Sequence, residues 1–130
     1  MKFYIASRVK NKELVKNIHQ KLISSGHTVL STWVDEKSAN PYENHVLEAK
    51  NLAIQCVNAV KECDVFILIS DETGSGMYTE MGVALSRSTK NKPKIYVIGD
   101  YINRSAFFFH PSVKRLSSFN DVLKDLEIKI

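Results

Sequence analysis

Apolar positions along the chain come in two alternating kinds of pattern, short unbroken runs and longer stretches with a helical period. Lys2 to Ser7 is an apolar run ending in small and polar residues, which predicts a buried strand feeding a loop. From Asn11 to Gly26 the period changes. Leu14, Val15, Ile18 and Leu22 share one helical face, with Asn11 placed to cap the helix and Gly26 to stop it. His27 to Trp33, with Val and Thr, predicts a second strand. Asp35 to Asn40 is a polar connection. Asn40-Pro41 with Glu43 predicts a cap, a proline at the first helical position and an acidic first turn. In the long helix that follows, Ala49, Leu52, Ala53, Cys56, Val57 and Val60 recur at three- and four-residue spacing, which predicts a stripe packed on a sheet.

Val65 to Ile69 is apolar at every position, the mark of a strand covered on both faces in a parallel sheet. Ser70 to Gly76 is its exit loop, Met77 to about Arg87 a helix, and Lys94 to Ile98 a fourth buried strand. Gly99-Asp100 opens another loop, Val113 to Leu116 is a weaker strand, and a last helix begins at Ser118 with Phe119, Val122, Leu123 and Leu126 inward. Strands alternating with helices imply right-handed crossovers and a mostly parallel sheet of about five strands with helices on both faces. The 130 residues contain no repeat, linker or low-complexity segment, so residues 1–130 read as one domain. In such a sheet ligands bind at the carboxyl ends of the strands, beside the point where strand order reverses. That rule selects the turn at Ser7-Arg8, the loop from Ser70 to Gly76 and the loop from Gly99 to Arg104.

Composition narrows the partners. The net charge of +4 comes from 18 Lys and Arg against 14 Asp and Glu, scattered without a basic run. No nucleic-acid-binding stripe is expected, and a mild attraction for a small anion remains. The opening apolar run is too short to be a signal peptide or a membrane span, so the expected setting is cytoplasmic, without a membrane partner. Cys56 and Cys63 lie on one predicted helix, roughly 10 Å apart along its axis, beyond disulfide reach, and both are expected as reduced thiols. His19, His27, His45 and His110 show no metal-ligand spacing, so neither a metal nor another cofactor is expected.

The segment that draws chemical attention follows the central strand. Ser70-Asp71-Glu72-Thr73-Gly74-Ser75-Gly76 leads directly into a helix, so backbone N–H groups and the positive helix end face whatever binds there. Gly74, Ser75, Gly76 and Met77 are the expected substrate-binding residues of this loop. Glu80 is assigned to the first turn of the helix, where the dipole favours an ionised carboxylate suited to a nucleophile or a charge stabiliser. An acidic residue there also serves helix stability alone. The loop lacks the Lys and Ser or Thr of a P-loop, and Gly74-x-Gly76 follows the wrong strand for a dinucleotide fingerprint. Arg8 is placed either to meet a phosphate or base edge or to sit in solvent. Tyr4 is a core residue whose hydroxyl can reach a pocket mouth. Asp64, just before the buried strand, is either near a site or structural. Phe107-Phe-Phe109-His110-Pro111 closes the core, lines an interface or covers a base.

Three segments together carry a resemblance. Phe3-Tyr-Ile-Ala-Ser7, Cys63-Asp-Val-Phe-Ile-Leu-Ile-Ser70 and Gly76-Met-Tyr-Thr-Glu80-Met-Gly-Val-Ala84 resemble the nucleoside 2-deoxyribosyltransferase family in order and spacing. The resemblance implies a flavodoxin-like, Rossmann-like three-layer α/β sandwich and cleavage of the N-glycosidic bond of a nucleoside or nucleotide. It makes Glu80 the nucleophile, forming a glycosyl-enzyme ester by the logic of a retaining glycosidase. Tyr4 would position Glu80, Ser7 and Arg8 would face the base or the 5′ end, and Asn103 would contact sugar or base.

Two departures qualify it. The aspartate such proteins carry on the preceding helix has no counterpart in Ile54-Gln-Cys56-Val-Asn58, leaving Asp71 or Asp64 as substitutes. Some members also complete a neighbour's pocket with a C-terminal tail, whereas this chain stops at Ile130, directly after its last predicted helix, so such a contribution is expected from elsewhere. A homodimer or higher homo-oligomer is the expected assembly. Rival readings are a 5′-nucleotide N-hydrolase using Arg8, Ser75 or Arg104, a nucleotide-sensing module without catalysis, and a Toll/interleukin-receptor-like domain cleaving NAD.

Overall fold

The computed structural model describes residues 1–88 and 92–130. All five apolar runs become strands: β1 (Lys2–Ala6), β2 (Thr28–Val29), β3 (Val65–Ile69), β4 (Lys94–Ile98) and β5 (Val113–Leu116). Their order is β2-β1-β3-β4-β5 and every neighbouring pair is parallel. The direction of strand order reverses between β1 and β3. This is the flavodoxin-like arrangement, with its switch point at that pair.

Strand alternation sorts the core into two halves. Phe3, Ile5, Val65, Ile67 and Ile69 pack with Val15, Ile18 and Leu22 of α1 (Lys12–Ser24) and with Val122 and Leu123 of α4 (Phe119–Asp125). Tyr4, Ala6, Phe66 and Leu68 point the other way, onto Val60 of α2 (Val46–Glu62) and Met77, Met81 and Ala84 of α3 (Gly76–Arg87). Helix, sheet and helix form three layers. β3 is buried at all five positions, as its uninterrupted apolar run requires.

Several local expectations are corrected. In α1, Leu14 is exposed and His19 takes a buried place instead. Ser31 accepts from the Ile5 N–H at 3.1 Å and shares a hydrogen bond with His19 Nε2 at 2.7 Å, so both buried polar groups are satisfied. Burial lowers the His19 pKa, opposed in part by the charge of Asp35. Asn11 makes no capping bond and donates to Ser7 Oγ at 2.9 Å. Gly26 does end the helix, with φ at +86°, a left-handed conformation that an L side chain resists. The second strand is only two residues long. Ser31 leaves the sheet line, and Thr32–Asp35 winds into a single tight turn that lets Trp33 Nε1 donate to the Ile5 carbonyl at 2.9 Å. Pro41 does not start α2, because Tyr42–Asn44 forms a separate turn and the helix begins at Val46.

The largest correction concerns α2 itself. Of its predicted stripe only Val60 is buried, and its first half lies away from the sheet. Among the described residues no helix is long and apolar enough to cross a membrane.

Candidate active site

At the carboxyl end of the sheet, β1 and β3 run into loops that depart to opposite faces. Tyr4 lies on the α3 side of β1, its ring stacked on Phe66 with centroids 5.9 Å apart. Its hydroxyl donates to Glu80 Oε2. A helix lying on the sheet and a strand residue of the right parity bring together two groups 76 positions apart in sequence.

Glu80 is the fifth residue of α3, and no acidic residue occupies that helix's first turn. The dipole argument for an ionised carboxylate therefore fails. Burial acts instead, pushing the Glu80 carboxyl up to about 8, while the Tyr4 hydroxyl favours the ionised form and pulls the other way.

Glu80 opens onto a cavity of about 440 Å³, within the size range of small-molecule sites. The apolar side of α2 supplies one wall through Leu52, Ala53, Cys56 and Val57. The segment after β2 supplies another with Trp33, Glu36 and Asn40, and Gly76 and Thr79 of α3 lie beside Glu80. The α2 stripe thus lines a cavity. Cys56 faces this space and Cys63 lies in the core, both as free thiols. Burial raises the Cys56 pKa, with the charge of Glu36 adding to it, and burial pushes the Cys63 thiol up to about 12.

Asp71 follows β3 at the edge of this site but is committed to other partners. Its carboxylate accepts from the Glu72 N–H at 2.8 Å and pairs with Lys10 at 3.2 Å and Arg8 at 3.4 Å. Burial pushes the Asp71 carboxyl up, but those three donors outweigh it and hold it below the usual carboxylate range. An acid held ionised in this way is a poor proton donor, so Asp71 fits the acid role badly. It anchors the loop, since its carbonyl also receives Tyr78 Oη at 3.1 Å and the Arg104 guanidinium.

The remaining sequence candidates separate. Ser7 and Arg8 stand at the exit of β1, beside the switch point. Gly74 adopts φ +118°, a backbone conformation that L side chains rarely take, and a Cβ there would also meet Met77 Cε at 2.7 Å and Arg8 Cγ at 3.2 Å. Ser75 precedes α3, and its carbonyl accepts from Tyr78 and Thr79 N–H. Met77 is 3% exposed and belongs to the core, which removes it from substrate contact. Asp64 lies at the opposite, amino end of β3, accepting from Lys2 N–H at 2.8 Å and pairing with Lys92 at 3.1 Å, so it is structural. The Lys2 N–H leads the interactions that lower its pKa. Asn103 accepts from the Arg115 guanidinium on the far loop and does not line the Glu80 cavity. Phe108 enters the core while Phe107 and Phe109 remain exposed, with Arg115 3.9 Å above the Phe109 ring. Trp33, Glu36 and the α2 wall went unassigned from sequence, although small apolar residues spaced along α2 were already visible.

Fold and site together define a doubly wound parallel α/β protein with a tyrosine-bound glutamate beside an apolar cavity at the switch point. No protein-family profile matches the chain, and no curated protein matches it in sequence. Among solved structures it is similar to the Clostridium botulinum CMP N-glycosidase BcmB. The two are 18% identical, align over 98% of each chain and superpose with a TM-score of 0.62. At that identity the likeness establishes the shared fold.

Proposed function

We propose that this chain cleaves the N-glycosidic bond of a nucleotide, with Glu80 as the attacking carboxylate. The observation that carries the reading is the Tyr4–Glu80 hydrogen bond on the wall of a cavity sized for a nucleoside. A solved protein of the same fold, described as a CMP N-glycosidase, supports the substrate class. In the reaction the Glu80 carboxylate attacks the anomeric carbon, the bond to the base breaks, and an ester links sugar to Glu80 until water releases it. Tyr4 steadies the ionised form of Glu80 before attack and the same carboxylate when it is regenerated. The sugar sits between Glu80 and Gly76, where the helix N-terminus and the Ser7-Arg8 turn favour a 5′-phosphate. The base occupies the apolar end against α2 and Trp33.

The test is base release from CMP, dCMP, other nucleoside monophosphates, free nucleosides and NAD, followed by chromatography, with Glu80→Ala as control. Release from monophosphates that disappears in the variant supports the reading. Release unchanged in Glu80→Ala refutes Glu80 as nucleophile, and cleavage of NAD alone favours the Toll/interleukin-receptor-like alternative. A second reading, nucleotide binding without turnover, draws on the α2 wall, which presents Cys56 and Val57 and no carboxylate. Tight nucleotide binding without base release would support it.

A further inference from the structure

Departure of a nucleobase as an anion is slow, so a carboxylate that attacks the sugar works best with a second group that gives the base a proton. Asp71 is tied to Lys10 and Arg8, Asp64 stands at the far end of the sheet, and the cavity face of α2 has no acid. Two carboxylate side chains line the cavity, Glu80 and Glu36. Resting on the N-glycosidase reading above, we infer that Glu36 is the general acid of this site, donating a proton to the departing base and then taking one from the attacking water.

The position of Glu36 is built into the fold. Its N–H donates to the Trp33 carbonyl at 3.2 Å, and its own carbonyl accepts from Lys12 Nζ at 3.2 Å. Trp33 is in turn fastened to β1 through the Ile5 carbonyl at 2.9 Å. The backbone is therefore held by a strand and a helix of the scaffold, and Glu36 lines the same cavity as the α2 residues Leu52, Ala53, Cys56 and Val57. Glu36 is exposed and Glu80 half-buried, so the two carboxylates meet the cavity from different surroundings.

The proton balance closes. The reaction starts with the proton on Glu36 and with Glu80 ionised beside the Tyr4 hydroxyl. Ionised Glu80 then forms the C1′–O bond, the C1′–N electron pair leaves with the base, and the Glu36 proton neutralises it. In the second step Glu36 takes a proton from water as the oxygen attacks C1′. The Glu80 ester bond breaks, which leaves the proton on Glu36 as at the start. Base and sugar phosphate are the products, with one water consumed.

Glu36→Gln in the full chain tests this with two substrates, CMP and 4-nitrophenyl β-D-ribofuranoside 5-phosphate, whose nitrophenolate leaves without a proton. Loss of a general acid predicts that kcat/KM on CMP falls about 10²- to 10⁴-fold, while the nitrophenyl substrate loses less than about tenfold. KM is expected to change little. Equal losses on both substrates would show that Glu36 only shapes the cavity, and no loss on either would remove it from the reaction. Both outcomes overturn the proposal and leave the Glu80 reading standing if Glu80→Ala is inactive. A wild-type chain that releases base from none of the nucleoside monophosphates and leaves the nitrophenyl substrate intact refutes both readings together.

Discussion

Glu80 costs this fold stability, and the cost depends on pH in a direction that can be measured without knowing the substrate. Burial carries its carboxyl from an ordinary 4.5 to about 8, and each pH unit of separation is worth about 1.4 kcal/mol. A group whose pKa is raised by folding contributes its full stability below the unfolded value and loses it as pH rises through the folded one. The wild-type protein should therefore lose up to about 5 kcal/mol between pH 4.5 and pH 9 from this residue alone, of which about 3 kcal/mol is gone by pH 7. The Tyr4 hydroxyl favours the ionised form, which makes these upper values. Glu80→Gln keeps an acceptor for Tyr4 and removes the titration. Urea unfolding of both proteins at pH 5, 7 and 8.5 should show nearly equal stability at pH 5 and a growing advantage for the variant above it. A difference that stays constant with pH would refute the claim that desolvation of Glu80 raises its pKa.

Three further outcomes follow from the same geometry. Tyr4→Phe removes a hydrogen bond to an ionisable group, worth about 1.5–3 kcal/mol. The rising limb of kcat/KM against pH should consequently move one to two pH units above the wild-type position (about 1.4 kcal/mol per unit), and an unmoved limb would show that Tyr4 does not tune Glu80. Gly74→Ala forces a side chain into a left-handed backbone position against Met77 and Arg8; a loss of about 1–3 kcal/mol is expected in thermal or urea unfolding, and an unchanged midpoint would contradict the close approach. With a thiol reagent at pH 8, Cys56 should label slowly and be protected by bound CMP, whereas Cys63 should label only after unfolding. Peptide mapping by mass spectrometry separates the two, and rapid labelling of Cys63 would contradict its burial in the core.

Element by element, local pattern was a good guide wherever a residue's environment followed from its immediate neighbours. The unbroken Val65–Ile69 run became a strand covered on both faces, and the alternation within β1 turned Tyr4 toward α3. Local pattern misled where a competing contact decided. The strand expected to reach Trp33 stops at Val29, since its later residues are taken up by Ser31 bonding to Ile5 and His19 and by the Trp33 indole bonding to Ile5. The α2 period was read correctly as an apolar stripe, but periodicity tells which side chains share a face and says nothing of what that face meets. Here it meets the cavity. Glu80 was singled out from its place after a glycine-containing loop, yet a one-residue shift in the helix start moved it out of the first turn, and desolvation raises its pKa where the helix dipole was expected to lower it.

The sequence alone determined the order of strands and helices, hence the parallel sheet, and it named Glu80 and Tyr4 as candidates, because strand burial and helical period are short-range properties written in neighbouring residues. Only the tertiary structure decided that Tyr4 touches Glu80, that Asp71 is consumed by Arg8 and Lys10, that Asp64 lies at the wrong end of the sheet, and that Glu36 faces the cavity. Those pairings join residues far apart along the chain. Protonation follows from them too, since whether a carboxylate keeps its proton depends on the water and charges that packing leaves around it.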